Sequence, residues 1–161
     1  MSLSAVVIGI GNRYRQDDGV GLAVVDRLRE EAAPRWARLA VCDGEPSRLI
    51  ELWSFTELAI VVDALAVRSP VPGRIHRLEV EDVAAAGESS STSHGLGMGT
   101  AVRLARELDR MPERLVVYAI EIGEYGFGTR MSAAVRRAAG HVAEHVGADL
   151  AEFAVSARTS V

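Results

Sequence analysis

Short, β-branched apolar runs alternate with helically spaced segments along this chain, and that alternation restricts it to few architectures. The run LAIVVD at 58–63 is the most apolar. Its length and composition predict a strand buried on both faces, as in a parallel sheet. SAVVIGI at 4–10, ARLAVC at 37–42 and RLVVYAIEI at 114–122 read as further strands. RIHRLEV at 74–80 alternates apolar and polar residues, which predicts an edge strand exposed on one face. Helices are predicted over 19–32, where Val20, Val24, Val25 and Leu28 share a face, then from Pro46, over 95–109 and over 131–147. EDVAAAGESSSTS reads as a small, polar, mobile loop, and YGFGTRMS as a glycine-rich one. The predicted fold is a single-domain three-layer α/β/α structure around a mostly parallel twisted sheet, with one edge strand antiparallel. Residues 1–150 are expected to form the domain, and 151–161 a fraying tail.

The 161 residues suit one domain, and 48% apolar content suffices for a packed core. A net charge of -4 and the absence of basic blocks argue against a nucleic-acid footprint. Cys42, the single cysteine, has no internal disulfide partner, which fits a reducing cytosol. The first residues lack a basic stretch before their apolar run and read as a strand rather than a signal peptide. No apolar run approaches the ~20 residues needed to cross a bilayer. A soluble cytoplasmic monomer with neither nucleic-acid nor membrane partners is expected.

In such a sheet ligands bind beyond the carboxyl ends of the strands, where the strand order reverses. If the first strand lies between the second and third, that point falls between the first and third strands. Asp17 and Asp18 follow the first strand and Asp63 ends the third, so the topology makes them neighbours. Either Asp17 or Asp18 also qualifies as the N-cap of the first helix, but capping needs only one acid. An aspartate ending so apolar a strand needs a crevice or a partner, or else it caps a turn. His94 opens a helix in STSHGLGMG and, taken alone, reads as an exposed loop histidine. Together Asp18, Asp63 and His94 form an oxygen, oxygen and nitrogen donor set for a divalent metal, with coordination positions left open. The rival pair His141 and His145 lies in HVAEH, which lacks the HExxH order and reads as a solvated helix face. The loop G-I-G-N-R-Y places Tyr14 where a dinucleotide fingerprint needs its third glycine. Cys42 has an acid beside it, which disfavours a thiolate nucleophile.

GIGNRYRQDDGVG, VVDAL and STSHGLG, in that order and spacing, resemble the hydrogenase maturation endopeptidases, and the likeness extends into AIEIGEYGFGTRMSAAV. These proteases trim the C-terminus of the large subunit of nickel–iron hydrogenases. The resemblance implies a five-stranded α/β fold and a hydrogenase large-subunit precursor as protein substrate. It also implies a metal-dependent endopeptidase in which Asp18, Asp63 and His94 serve as catalytic residues and metal ligands. The ion implied is nickel, carried by the substrate itself, with another divalent metal admissible in isolation. Asp17 is the substitute for Asp18. After the second strand many members read D-G-G-T where this chain has Asp43-Gly44-Glu45-Pro46, a departure that bears on which hydrogenase is recognised. The alternative is a non-catalytic metal-sensing or small-ligand-binding module on the same fold.

Overall fold

The computed structural model of the chain describes residues 3–31, 33–86 and 93–160; the described side chains exclude those of 84–97. Five strands form one sheet in the order β2-β1-β3-β5-β4. They are β1 (Ala5–Ile10), β2 (Ala37–Cys42), β3 (Leu58–Leu65), β4 (Ile75–Glu79) and β5 (Arg114–Glu121). All pairings are parallel except β4 with β5, the antiparallel edge. The helices are α1 (Val20–Glu30), α2 (Pro46–Trp53), α3 (Val80–Ala86), α4 (Ser93–Glu107) and α5 (Ala133–Thr159). The single-domain α/β architecture with its mostly parallel, five-stranded sheet is the one expected from the sequence.

Because side chains alternate along each strand, the sheet has two apolar faces and two cores. Val7, Ile60, Val62, Val116, Tyr118 and Ile120 pack against α1 and α5. Val6, Ile8, Ile10, Ala59, Val61, Leu115 and Val117 pack beneath α2, Val83 of α3, and Met98, Ala101, Val102 and Ala105 of α4. Helices on both faces of a parallel sheet give the three layers.

The strand order reverses between β1 and β3, and α1 is pressed into that junction. A Cβ on Gly21 would lie 2.4 Å from the Ile10 carbonyl oxygen and 2.5 Å from that of Val62. Gly9 on β1 faces the same contact, its Cβ position lying 2.3 Å from the Gly21 carbonyl. Two glycines thus let the first turn of α1 rest directly on the backbones of β1 and β3.

Two boundaries differ from the sequence reading. The last helix continues from 147 to Thr159 and takes in most of 151–161. Leu150 is buried beyond 147, and Phe153 packs on Trp36 with ring centroids 5.9 Å apart. Asp149 also accepts hydrogen bonds from the Tyr118 hydroxyl (2.6 Å) and Arg77 (3.2 Å), tying this stretch to the sheet edge. Burial and this carboxylate push the Tyr118 hydroxyl up to about 12. The second difference concerns EDVAAAGESSSTS, read as a loop, whose first residues belong to α3. Alanines favour the helix, Glu81 and Asp82 suit its first turn, and Val83 is buried. Residues 87–92 of that stretch lie outside the described residues.

Gly21→Ala should destabilise the protein by about 1–3 kcal/mol, the usual cost of an overpacked core, although alanine favours a helix. Gly147→Ala is the control: nothing lies within 4 Å of its Cβ position. That substitution should stabilise by about 1 kcal/mol through helix propensity alone. Urea unfolding of both variants measures the contrast.

Candidate functional site at the carboxyl ends of β1 and β3

The chain leaves β1 through Gly11, whose φ of +149° is poorly accessible to other residues. It then makes a 3-10 turn at Gln16–Gly19 before α1. That turn carries both adjacent acids, and both are buried. Their surroundings differ. Asp17 accepts hydrogen bonds from the amides of Ser132 (2.7 Å), Glu124 (3.2 Å) and Gly123 (3.3 Å), and from the Ser132 hydroxyl (3.0 Å). Its own amide donates to the Glu124 carbonyl. Asp17 is therefore the tie between the loop after β1 and the loop after β5. Backbone bonds between Gln16 and Gly128, and between Gly128 and Tyr14, extend the same seam. Neither acid caps α1, whose N-cap is Gly19, without a side-chain hydrogen bond.

Asp18 accepts from the Asn12 amide at 3.1 Å, within its own loop. Asp63 lies near the end of β3, 6% exposed, and its Oδ1 accepts from the Ala64 amide at 2.8 Å. The turn bearing Asp18 packs against β3, the strand that carries Asp63. His94 is the second residue of α4, and its side chain lies outside the described residues. Among the described residues no group of three His, Cys, Asp or Glu is arranged to hold a metal ion. The chemistry of two carboxylates and an imidazole nonetheless suits a divalent ion with open positions.

Cys42 sits on the same side of the sheet. Burial pushes its thiol up, a backbone hydrogen bond from Gly44 pulls it down, and Asp43 and Asp63 push it up again. The net rise keeps it a thiol at neutral pH, as its acidic neighbour suggested. His141 and His145 are exposed on α5, over the opposite face. The seam between the two loops displays Tyr14, Tyr125 and Phe127, the last 98% exposed.

One pair of residues went unread in the sequence. Glu121 ends β5, 3% exposed, with His76 Nε2 2.8 Å from its Oε2. The Val71 amide donates to Oε1 at 3.1 Å, and Arg74 lies 3.6 Å from Oε2. Burial raises the carboxyl group, but the hydrogen bonds from His76 and Val71, with the Arg74 charge, hold it below its ordinary 4.5. The missed signal was an acid between two isoleucines at the end of an apolar strand, the same pattern that singled out Asp63.

The strand order is that of a small doubly wound α/β protein, with buried carboxylates where the order reverses. The family model for hydrogenase maturation protease, HycI, matches residues 22–148, and the chain belongs to that family. It is by family a hydrolase of the protease class. The hydrogenase maturating endopeptidase HybD from Escherichia coli is similar in structure, with a TM-score of 0.81 at 22% identity over 94% of each chain. An endopeptidase from Escherichia coli solved in solution gives 0.82 at 21% identity, again over 94% of each chain. The [NiFe] hydrogenase maturation protease HybD from Thermococcus kodakarensis gives 0.71 at 20% identity, over 89% of this chain and 97% of its own. At these identities the likeness is one of fold. Among curated proteins none matches the sequence. No helix of the described residues is long and apolar enough to cross a membrane.

Asp17→Ala should cost about 2–4 kcal/mol, because four donors lose a buried charged acceptor. Chemical denaturation should show that loss. A second expectation concerns Glu121. Its carboxyl is depressed on folding, so its contribution to stability is complete above the ordinary value of 4.5 and is lost as pH falls through the folded value. Glu121→Gln should therefore be less stable than wild type by about 2 kcal/mol near neutrality. The gap should narrow as pH drops below 4.5, as followed by urea midpoints.

Proposed function

We propose that this protein is the cytoplasmic endopeptidase that removes the C-terminal extension of a nickel–iron hydrogenase large-subunit precursor, acting as a monomer once nickel has been inserted. Family membership supports the class of reaction. The observation that carries the reading further is the division between the adjacent acids. Asp17 is committed to the seam between two loops, whereas Asp18 lies in a turn that packs against β3, the strand of Asp63.

In this reading the substrate brings its own nickel. Asp18 and Asp63 offer carboxylate oxygens, and His94 offers a neutral imidazole from the first turn of α4. Three protein ligands leave positions for the scissile carbonyl or for a water, and such coordination polarises the one or acidifies the other. Two apolar cores hold the fold without any ion. A precursor lacking nickel lacks the group that engages the trio, so nickel insertion becomes the condition for cleavage.

Asp63→Asn should drop processing of nickel-loaded precursor below about 1% of wild type, since even indirect supports of a metal site are worth 10- to 100-fold. The protein should stay folded, because asparagine keeps an acceptor for the Ala64 amide. Intact mass of the large subunit and a thermal melt of the variant decide this. Precursor without nickel should remain uncut, and a chelator should leave the protease's melting temperature unchanged. A non-catalytic metal-binding module would leave even the loaded precursor intact.

A further inference from the structure

The proposed ligand trio accounts for coordination but not for proton movement. Hydrolysis of a peptide bond takes a proton from the attacking water and delivers one to the leaving amine. An imidazole bound to a metal ion has no lone pair left for a proton, and a carboxylate bound to one is a weakened base, so a separate group suits the proton transfer better.

Strand register supplies one. Asp63 on β3 is aligned with Ala119 on β5, and Ala119 is aligned with His76 on β4. Aligned residues share a face, so Asp63 and His76 flank a single methyl group on the same side of the sheet. Two strand spacings separate their backbones by about 10 Å, which leaves room for an ion and one peptide unit. His141 and His145 belong to the helix over the other face. The Cys42 thiol is held protonated at neutral pH.

We infer that His76, oriented by Glu121, is the general base and then the general acid of precursor cleavage, an assignment that rests on the endopeptidase reading above. The Glu121 carboxylate only accepts hydrogen bonds, so the bonded Nε2 of His76 carries the ring proton. In the neutral ring the basic lone pair is then on Nδ1, which has no hydrogen-bond partner among the described residues. The His76 side chain is 38% exposed and accessible to substrate, while that of Glu121 is 4% exposed. As the water oxygen bonds to the scissile carbonyl carbon, its proton passes to Nδ1. When the carbon–nitrogen bond breaks, the same proton passes from Nδ1 to the amine. The products are a carboxylic acid and an amine, and the imidazole is restored. Glu121 is a positioning residue, anchored by the Val71 amide and Arg74.

His76→Gln separates this role from a structural one. Glutamine retains an N–H donor for Glu121 but has no base at the Nδ1 position. With nickel-loaded precursor in single turnover, followed by intact mass, its cleavage rate should fall about 100-fold or more. Precursor affinity should stay within about twofold and the melting temperature should be unchanged, since no donor to Glu121 is lost. His76→Ala should be slow as well and should recover part of its rate on adding imidazole, which a structural role does not predict. Cleavage by His76→Gln within about threefold of wild type, or a loss confined to precursor affinity, overturns the assignment while leaving the endopeptidase reading intact. Should His76→Gln not fold, His76→Ala decides: recovery with imidazole supports the assignment and its absence overturns it. Failure of the wild type to cleave loaded precursor removes the endopeptidase reading and this assignment together.

Discussion

The backbone contact between α1 and the two central strands is the constraint on which the site depends. A helix normally stands off a sheet by the thickness of two layers of side chains, about 10 Å. Here Gly21 meets the carbonyls of Ile10 and Val62, and Gly9 accommodates Gly21 in return. The first turn of α1 is thereby lowered onto the sheet, and the turn before it packs against β3. The Cβ position of Gly11 is 2.0 Å from the Asp18 carbonyl oxygen, so the loop itself is folded as tightly as the helix. A larger residue at any of these points lifts Asp18 away from the junction. The glycines of GIGNRYRQDDGVG thus do the work of close packing, whereas a dinucleotide fingerprint uses glycines to approach a pyrophosphate.

Adjacent acids in one turn are expensive to bury, and each must have compensation. Asp17 finds it in amides and a hydroxyl from the loop after β5, two strands away, which stitches that loop to the β1 loop. The stitch has a structural consequence: the exposed aromatics Tyr14, Tyr125 and Phe127 are held together at the rim. Asp18 accepts one of its hydrogen bonds from the Asn12 amide, six residues away in the same loop.

The fold was largely legible because strand burial and helix spacing are local patterns, and the five apolar runs correspond to the five strands. What escaped depends on contacts between distant residues. The different surroundings of Asp17 and Asp18 were hidden, since donors that engage Asp17 are more than 100 residues away along the chain. The length of α5 was hidden because the contacts that hold its last turns come from Trp36, Arg77 and Tyr118, distant in sequence. Asp63 stands out in the sequence as an acid in an apolar run, and the structure buries it near the end of β3. Glu121 carried the same signature but was read as part of a strand, because its partner His76 sat on a run classed as an exposed edge.

That edge strand brings His76, the proposed base, to the carboxyl end of β5. In a parallel sheet, functional groups come from the loops that leave the carboxyl ends of the strands. β4 is antiparallel and therefore enters the sheet at that end, with Ile75 opposite Ile120 and His76 opposite Ala119. A parallel strand in the same place would bring its first residues to the far edge. The loop between β3 and β4 is also fastened to Glu121, through the Val71 amide to its side chain and through Gly73 and Arg74 to its backbone. The same residue that orients His76 therefore fixes where β4 begins. Register, ring orientation and loop path are set by one buried carboxylate, so a change at Glu121 moves all three at once.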